Sequence, residues 1–276
     1  MLKQRVITAI VLLAILLPAL FYRTPTPFTA LALVLIAAGA WEWGRLNALG
    51  RMASIGLSLL CVLACAVAWY GGLLEMSLPV FWATAGAAWV LAGGWLLRSG
   101  VVGWPRIPKL LRVAGGVIAL WLAWLAIAQA RIVGVEFLLS VLMLVWVADI
   151  FAYFAGRAFG GRFSKGKLAP SISPGKSWEG VWGGMAGVVM LSLAWVFLGS
   201  ETLYSRLAER HSLAVMLLAV VFLAAMSVVG DLVESLVKRS AGVKDSSGLL
   251  PGHGGVLDRV DALLPTLPLA MMLVSL

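Results

Sequence analysis

What most constrains this chain is the recurrence of long apolar runs, from its first ten residues to its last, separated by short polar connections. One helical crossing of a bilayer's hydrocarbon core needs about 20 consecutive, mainly apolar residues. Inside that core every backbone N–H and C=O must be paired within the protein, and a helix does this by itself. The runs predict about nine membrane helices, over residues 6–22, 28–44, 54–71, 79–97, 113–130, 134–156, 180–199, 212–233 and 260–276. Composition agrees: of 276 residues, 62% are hydrophobic and 12% charged, with a mean hydropathy of +1.01. A water-soluble globule is excluded, and the expected fold class is an all-α polytopic integral membrane protein. Pro265 and Pro268 fall in the last run, where neighbouring helices can re-satisfy the carbonyls they free. The first run follows Lys3 and Arg5 as a signal peptide would. Bulky residues from Pro18 to Arg23 stand where a small-residue cleavage site belongs, so it reads as a retained anchor.

A net charge of +9 raises the question of a nucleic-acid partner, and the placement of the cations answers it. With the amino terminus in the cytoplasm, seventeen of the 21 Lys and Arg residues fall on that side, and only Arg23, Arg131, Arg206 and Arg210 fall outside. That asymmetry is the positive-inside rule and supports the order of spans. The basic balance is therefore topology, with no nucleic acid implied, in a multi-pass protein of the cell (inner) membrane. Cys61 and Cys65, four apart on one helix face, read as small packing residues, without a disulfide framework or a metal-ligand set.

Carboxylates locate the chemistry. Glu42, Asp149, Glu179, Asp231, Glu234, Asp245, Asp258 and Asp261 all map to the cytoplasmic side, and all but Glu42 lie in the second half. Residues 1–112 thus read as a scaffold of transmembrane helices, and 113–276 as a catalytic region with a cytoplasm-facing polar cavity. A charged Asp at a helix centre costs about 2.5 to 3.5 kcal/mol on insertion scales, so such residues usually line a cavity or bind something. Asp149, Tyr153 and Arg157, spaced by four, stack on one helix face, as a site or as an internal Asp–Arg pair. Asp231, Glu234, Ser235 and Lys238 share a second face. Between them "SPGKSWEG" (173–180) combines a Pro/Gly turn, the anion-binding candidates Ser173 and Lys176, and a helix start. Gly180 with Gly184, and Gly183 with Gly187, suit close helix packing.

Three partial motifs fail. "GGRFSKGKL" approaches a P-loop, but Leu168 stands where a hydroxyl must reach magnesium. Ser173 to Lys176 is an S-x-x-K without the companion motifs of acyl-serine enzymes. His211, beside Glu209 and Arg210, reads as a solvated polar end.

"KDSSGLLPGHGGVLDRVD" (244–261) is different, because it gathers what phosphate chemistry uses. Asp231, Asp245, Asp258 and Asp261 are hard oxygen donors suited to magnesium. Lys238, Arg239, Lys244 and Arg259 balance phosphate charge. Gly252, Gly254 and Gly255 let backbone amides approach an anion. Capping of the last helix accounts for one of Asp258 and Asp261, not for the whole set.

The string Ser235-Leu-Val-Lys238-Arg239, Lys244-Asp245, Leu250-Pro251-Gly252-His253-Gly254-Gly255 and Asp258-Arg259-Val260-Asp261 resembles the signature of the phosphatidate cytidylyltransferases, or CDP-diacylglycerol synthases, without a gap over 235–261. "ADIFAYFAGRAFG" and "SPGKSWEG" are similar to upstream blocks of that family. The resemblance implies transfer of the cytidylyl group of CTP to phosphatidic acid, with pyrophosphate released, in a membrane-bound enzyme that is a homodimer. It implies Asp231 and Asp258 as ligands of Mg2+, beside a second cation such as K+. Lys244, Asp245, Asp261 and Asp149 take catalytic or outer-shell roles, and Ser173, Lys176, Lys238, Arg239, His253 and Arg259 hold phosphates or nucleotide. His253 remains either a phosphate donor or a loop residue bonded to backbone. The competing reading is a cation transporter built on clustered intramembrane carboxylates. The Asp-x-x-Asp-Gly pattern of the CDP-alcohol phosphotransferases is absent from the chain.

Overall fold

The structure is a computed structural model that describes residues 2–198 and 201–276, without the side chains of Leu2, Lys3 and Arg5. Lys3 and Arg5, two of the cations expected at the cytoplasmic face, thus lie outside the described side chains, as does the last residue of the span expected over 180–199. In chain order the elements are α1 (Leu2–Leu20), α2 (Thr26–Leu46), α3 (Arg51–Tyr70), α4 (Pro79–Gly103), α5 (Lys109–Val133), α6 (Val135–Phe159), β1 (Lys167–Ala169), β2 (Ser173–Ser177), α7 (Trp178–Val196), α8 (Leu203–Arg210), α9 (Leu213–Ser240), α10 (Leu257–Val260) and α11 (Leu263–Ser275). Among the described residues seven helices, α2 to α7 and α9, are long and apolar enough to cross a membrane. The protein is a helical multi-pass membrane protein.

These seven are the interior ones of the nine expected crossings. At the amino-terminal end the described apolar stretch is Val6–Leu20, within α1. α11 has 13 residues, about 20 Å at 1.5 Å per residue, against a hydrocarbon core of about 30 Å. Asp261 and Ala262, between α10 and α11, keep right-handed helical backbone angles, and the hydrogen-bond ladder breaks there because Pro265 has no N–H to give the Asp261 carbonyl. Val34, Leu59, Leu91 and Leu218 point outward, 64–73% exposed, as the lipid-facing side of such a bundle requires.

α9 is the axis. Met216, Ala219, Val220, Leu223 and Ala224 are buried at the i, i+3, i+4 spacing of one helix stripe, and α9 packs on α4, α7 and α11. Small residues bring its neighbours close. A Cβ at Gly230 would lie 2.5 Å from the Asp261 carbonyl oxygen and 2.8 Å from the Pro265 ring, so the start of α11 rests directly on the α9 backbone. α6 and α7 form the tightest pair. A Cβ at Gly180 would come 3.0 Å from the Ala152 carbonyl oxygen and one at Gly184 2.8 Å from that of Ala148, while Gly183 and Gly187 seat Ala155 and Phe151. The small-residue spacing in α7 is thus a packing face, as its sequence suggests.

The turn expected in "SPGKSWEG" is a strand instead. β2 pairs antiparallel with β1, Lys167 opposite Ser177 and Ala169 opposite Ser173, the one sheet among the described residues. Pro174 favours an extended residue before it, and Ser177 stays extended (φ −124°, ψ 158°) while its hydroxyl accepts the Gly180 N–H at 3.2 Å, capping α7. This hairpin carries Lys176 over the end of the bundle.

Gly184→Leu should force α6 and α7 apart and lower stability by about 1–3 kcal/mol, the cost of overpacking a close contact. Thermal unfolding in detergent checks it. Gly56→Ala in α3, where an added Cβ meets nothing within 4 Å, should leave the midpoint unchanged or raise it.

Candidate active site

At the hairpin end of the bundle lies a cavity of about 580 Å³ between α6, β2, α7 and α9. It exists because the walls lack bulk there: Ala152, Gly156, Gly180, Gly184 and Ala224 line it. Polar groups enter it from three segments. Asp149, Tyr153 and Arg157 come from α6, Lys176 from β2 and Asp231 from α9. The Asp149–Arg157 pair left open by the sequence does not form: Arg157 donates to the Tyr153 hydroxyl at 3.1 Å, and Asp149 stays open to the cavity.

Asp231 forms an ion pair with Lys176 and accepts the Ser235 hydroxyl at 3.3 Å, one turn along α9. Asp261 is set beside it by the close approach of its backbone to Gly230. Burial, and after it the charge of Asp231, raise the Asp261 carboxyl above its ordinary pKa, while its Oδ1 accepts the Ala262 N–H at 2.8 Å. Three carboxylates and one ammonium therefore share this end of the bundle.

Two turns further along α9, Lys238 holds a second cluster. Its ammonium pairs with Glu234 on the same helix and with Asp258 Oδ1 at 2.5 Å. The side chains of Glu234, Asp258 and Lys238 are 3%, 6% and 12% exposed, so these charges are compensated inside the protein rather than by water. The other Asp258 oxygen accepts the N–H groups of Gly255 (2.7 Å) and Ser246 (2.9 Å) and the Ser246 hydroxyl (2.9 Å). Burial disfavours the Asp258 charge, but Lys238 and these N–H donors outweigh it and hold the carboxyl below its ordinary value. Asp231 and Asp258 thus lie towards the same end of α9, Asp258 through its pairing with Lys238 two turns beyond Asp231.

The remaining candidates are arranged differently. Arg239 donates to the Ile172 and Val243 carbonyls at 3.4 and 3.3 Å, tying the hairpin and the loop to the end of α9. Arg259 clamps the His253 carbonyl at 3.1 and 2.8 Å. His253 closes a turn onto Leu250 at 2.8 Å, and its Nδ1 is buried without a protein partner. Lys244 and Asp245 are exposed on the loop, and Ser173 is half-buried in β2.

Two of the carboxylates that sequence reasoning left without a role hold connections in place. Glu179 is buried and accepts the Phe163 and Ser164 N–H groups at 3.1 and 2.8 Å and the Ser164 hydroxyl at 2.8 Å, fixing the connection from α6 to β1. Glu42, at 0% exposure near the end of α2, accepts the Ser247 hydroxyl and the Val256 and Leu257 N–H groups of the 246–257 loop and shares the Ser246 hydroxyl with Asp258. The only sequence signal for Glu42 was an acidic residue at the end of an otherwise apolar run.

Lys238→Met would leave Asp258 as a buried charge without its counter-ion. It should destabilise the protein by about 3–5 kcal/mol, read as loss of the folded fraction in a denaturant series. Lys238→Arg should retain most of that stability.

Comparison with known proteins accords with this geometry. The profile of the cytidylyltransferase family matches residues 3–276. A phosphatidate cytidylyltransferase of Pseudomonas aeruginosa is 38% identical over 280 residues, covering 97% of this chain and 95% of that protein. One of Haemophilus influenzae is 39% identical over 294 residues, covering 97% and 96%, and one of Brucella abortus is 37% identical over 268 residues, covering 95% and 89%. With residues 3–276 matched and relatives 38–39% identical over 97% of its length, this chain belongs to the cytidylyltransferase family.

Proposed function

We propose that the protein transfers the cytidylyl group of CTP to phosphatidic acid, giving CDP-diacylglycerol and pyrophosphate for phospholipid synthesis. One observation carries this reading beyond the relatives' names: carboxylates and ammonium groups from α6, β2, α9 and the 244–261 loop meet at one end of an otherwise apolar bundle. A phosphate at the lipid interface and a nucleotide from water meet at such a boundary.

In this reaction an oxygen of the lipid phosphate attacks the α-phosphorus of CTP. The bond from that phosphorus to the oxygen bridging to the β-phosphate breaks, and pyrophosphate departs. The nucleophile is already anionic near neutral pH, since the second ionisation of a phosphate monoester lies near about 6, so no strong base is needed. Bringing two polyanions into contact demands fixed positive charge. Lys176 is placed to supply it in the cavity, and Lys238, Arg239, Lys244 and Arg259 stand around the loop. The small-walled cavity admits the headgroup beside α6 and α7.

Asp231, with Asp149 and Asp261 beside it, offers the oxygen donors that suit a hard divalent cation such as Mg2+. Asp258, whose oxygens are held by Lys238, Gly255 and Ser246, would join them by exchanging its Lys238 contact for the ion. Among the described residues no three His, Cys, Asp or Glu side chains converge tightly enough to hold a metal unaided. Magnesium is usually held by one or two carboxylates, with substrate phosphates and water completing its shell. Bound there, it would neutralise charge on the reacting phosphates. Asp231 and Asp258 would be the main ligands, Asp149, Asp245 and Asp261 outer-shell or second-cation (K+) groups, and Ser173 and His253 phosphate or nucleotide contacts. The site opens to the cytoplasm of a cell inner membrane, and the enzyme works as a homodimer. The transporter reading requires polar groups along a path through the bundle. Beyond Asp231, α9 presents Ser227, whose hydroxyl donates to the Ala224 carbonyl of its own helix at 2.8 Å, and then Ala224, Leu223, Val220, Ala219 and Met216 to the interior.

Purified protein in mixed micelles should form labelled CDP-diacylglycerol from labelled CTP only when phosphatidic acid is present. Asp231→Asn should reduce kcat at least about 100-fold, the scale of losing a group aimed at transition-state charge. Wild-type turnover in that variant would remove Asp231 from the mechanism. Lys176→Ala should weaken use of both substrates, and kinetics like the parent's would remove Lys176.

A further inference from the structure

The loop from Ser246 to Leu257 is closed on a residue that the sequence places in the scaffold. Glu42 Oε1 accepts the Ser247 hydroxyl at 2.5 Å and the Val256 N–H at 2.9 Å; Oε2 accepts the Ser246 hydroxyl at 3.2 Å and the Leu257 N–H at 2.7 Å. Each oxygen thus holds one group from the start of the loop and one from its end. The side chain is fully buried, and its charge is met by these polar groups rather than by a cation.

The neighbouring carboxylate interlocks with it. Asp258 Oδ2 takes the Gly255 N–H, so three consecutive N–H groups, from Gly255, Val256 and Leu257, point at two carboxylates. Runs of N–H groups of this kind form anion-binding concavities, and here protein carboxylates fill them. The Ser246 hydroxyl lies between both acids, 2.9 Å from Asp258 and 3.2 Å from Glu42. A Cβ at Gly255 would strike Ser246 Oγ and the Glu42 carboxylate, so only glycine fits. The orientation of Asp258 against Lys238 follows from this arrangement.

We infer that Glu42 is a positioning residue for cytidylyl transfer: acting through Ser246, Ser247 and the Val256 and Leu257 amides, it sets the loop whose cations and Asp258 receive CTP. This rests on the proposed reaction for its kinetic consequence, but the geometry stands apart from it.

Glu42→Gln keeps the volume but turns an NH2 group towards a backbone N–H that now has an acceptor. In the purified full-length protein, KM for CTP should rise about tenfold or more, within the 10–100-fold typical when an outer-shell partner is lost. Amide exchange over residues 245–258 should accelerate. A role in global stability alone would lower Vmax through loss of folded protein and leave KM where it was; that result, or parental kinetics, overturns the inference. If Glu42→Gln does not fold, Ser247→Ala removes a single donor and should raise KM for CTP about threefold, a fraction of the outer-shell scale; an unchanged KM there overturns it equally. A parent enzyme inactive with CTP would count against the proposed reaction and not against Glu42. Exchange at the Val256 and Leu257 amides then decides, with protection unchanged in Glu42→Gln the contradicting result.

Discussion

The Lys238 ammonium, held between Glu234 and Asp258, is the interaction on which the polar end of this protein depends. Two carboxylates that are almost fully enclosed would repel each other across a medium that screens poorly. One cation between them makes their burial tolerable, and it does so from the last turn of α9, where the helix dipole also favours positive charge. Removing either side of such a pair leaves an uncompensated charge, so the loop bearing Asp258 is tied to the helix bearing Asp231. That tie turns residues 20 or more apart in sequence into neighbours around one site.

The apolar bundle prepares the place for it. Glycines and alanines of α6 and α7 remove side-chain volume at the hairpin end, leaving a cavity where larger residues would have filled the bundle. The β1–β2 hairpin then brings Lys176 across that opening to Asp231. Fixed charges of both signs in a small, partly dehydrated space are what phosphoryl-group chemistry needs, since its catalysis rests on placement and charge compensation. Precise placement in turn needs rigid support. Arg239, Glu179 and Glu42 supply it by holding hairpin, connection and loop through backbone groups.

Much of this was legible in the sequence because hydropathy and motif spacing are local signals. The seven interior crossings follow from apolar run length, and the glycine spacing of α7 announced a close packing face, though not that α6 is its partner. The face of Asp231, Ser235 and Lys238 followed from helical periodicity alone. What the sequence hid was set by tertiary contact. "SPGKS" reads as a turn by residue type, yet pairing with Lys167–Ala169 makes it a strand. Glu42 was hidden most completely. Its partners lie more than 200 residues away, and no periodicity within α2 reports them.

The convergence of α9 and the loop on one ammonium can be measured by a double-mutant cycle in thermal unfolding, with Lys238→Met, Asp258→Asn and the two combined. If Lys238 compensates Asp258 inside the protein, neutralising Asp258 should recover part of the stability lost in Lys238→Met, so the double variant unfolds at a higher temperature than additivity demands. Strictly additive losses would show that the two side chains do not meet, and the site built around them would not stand.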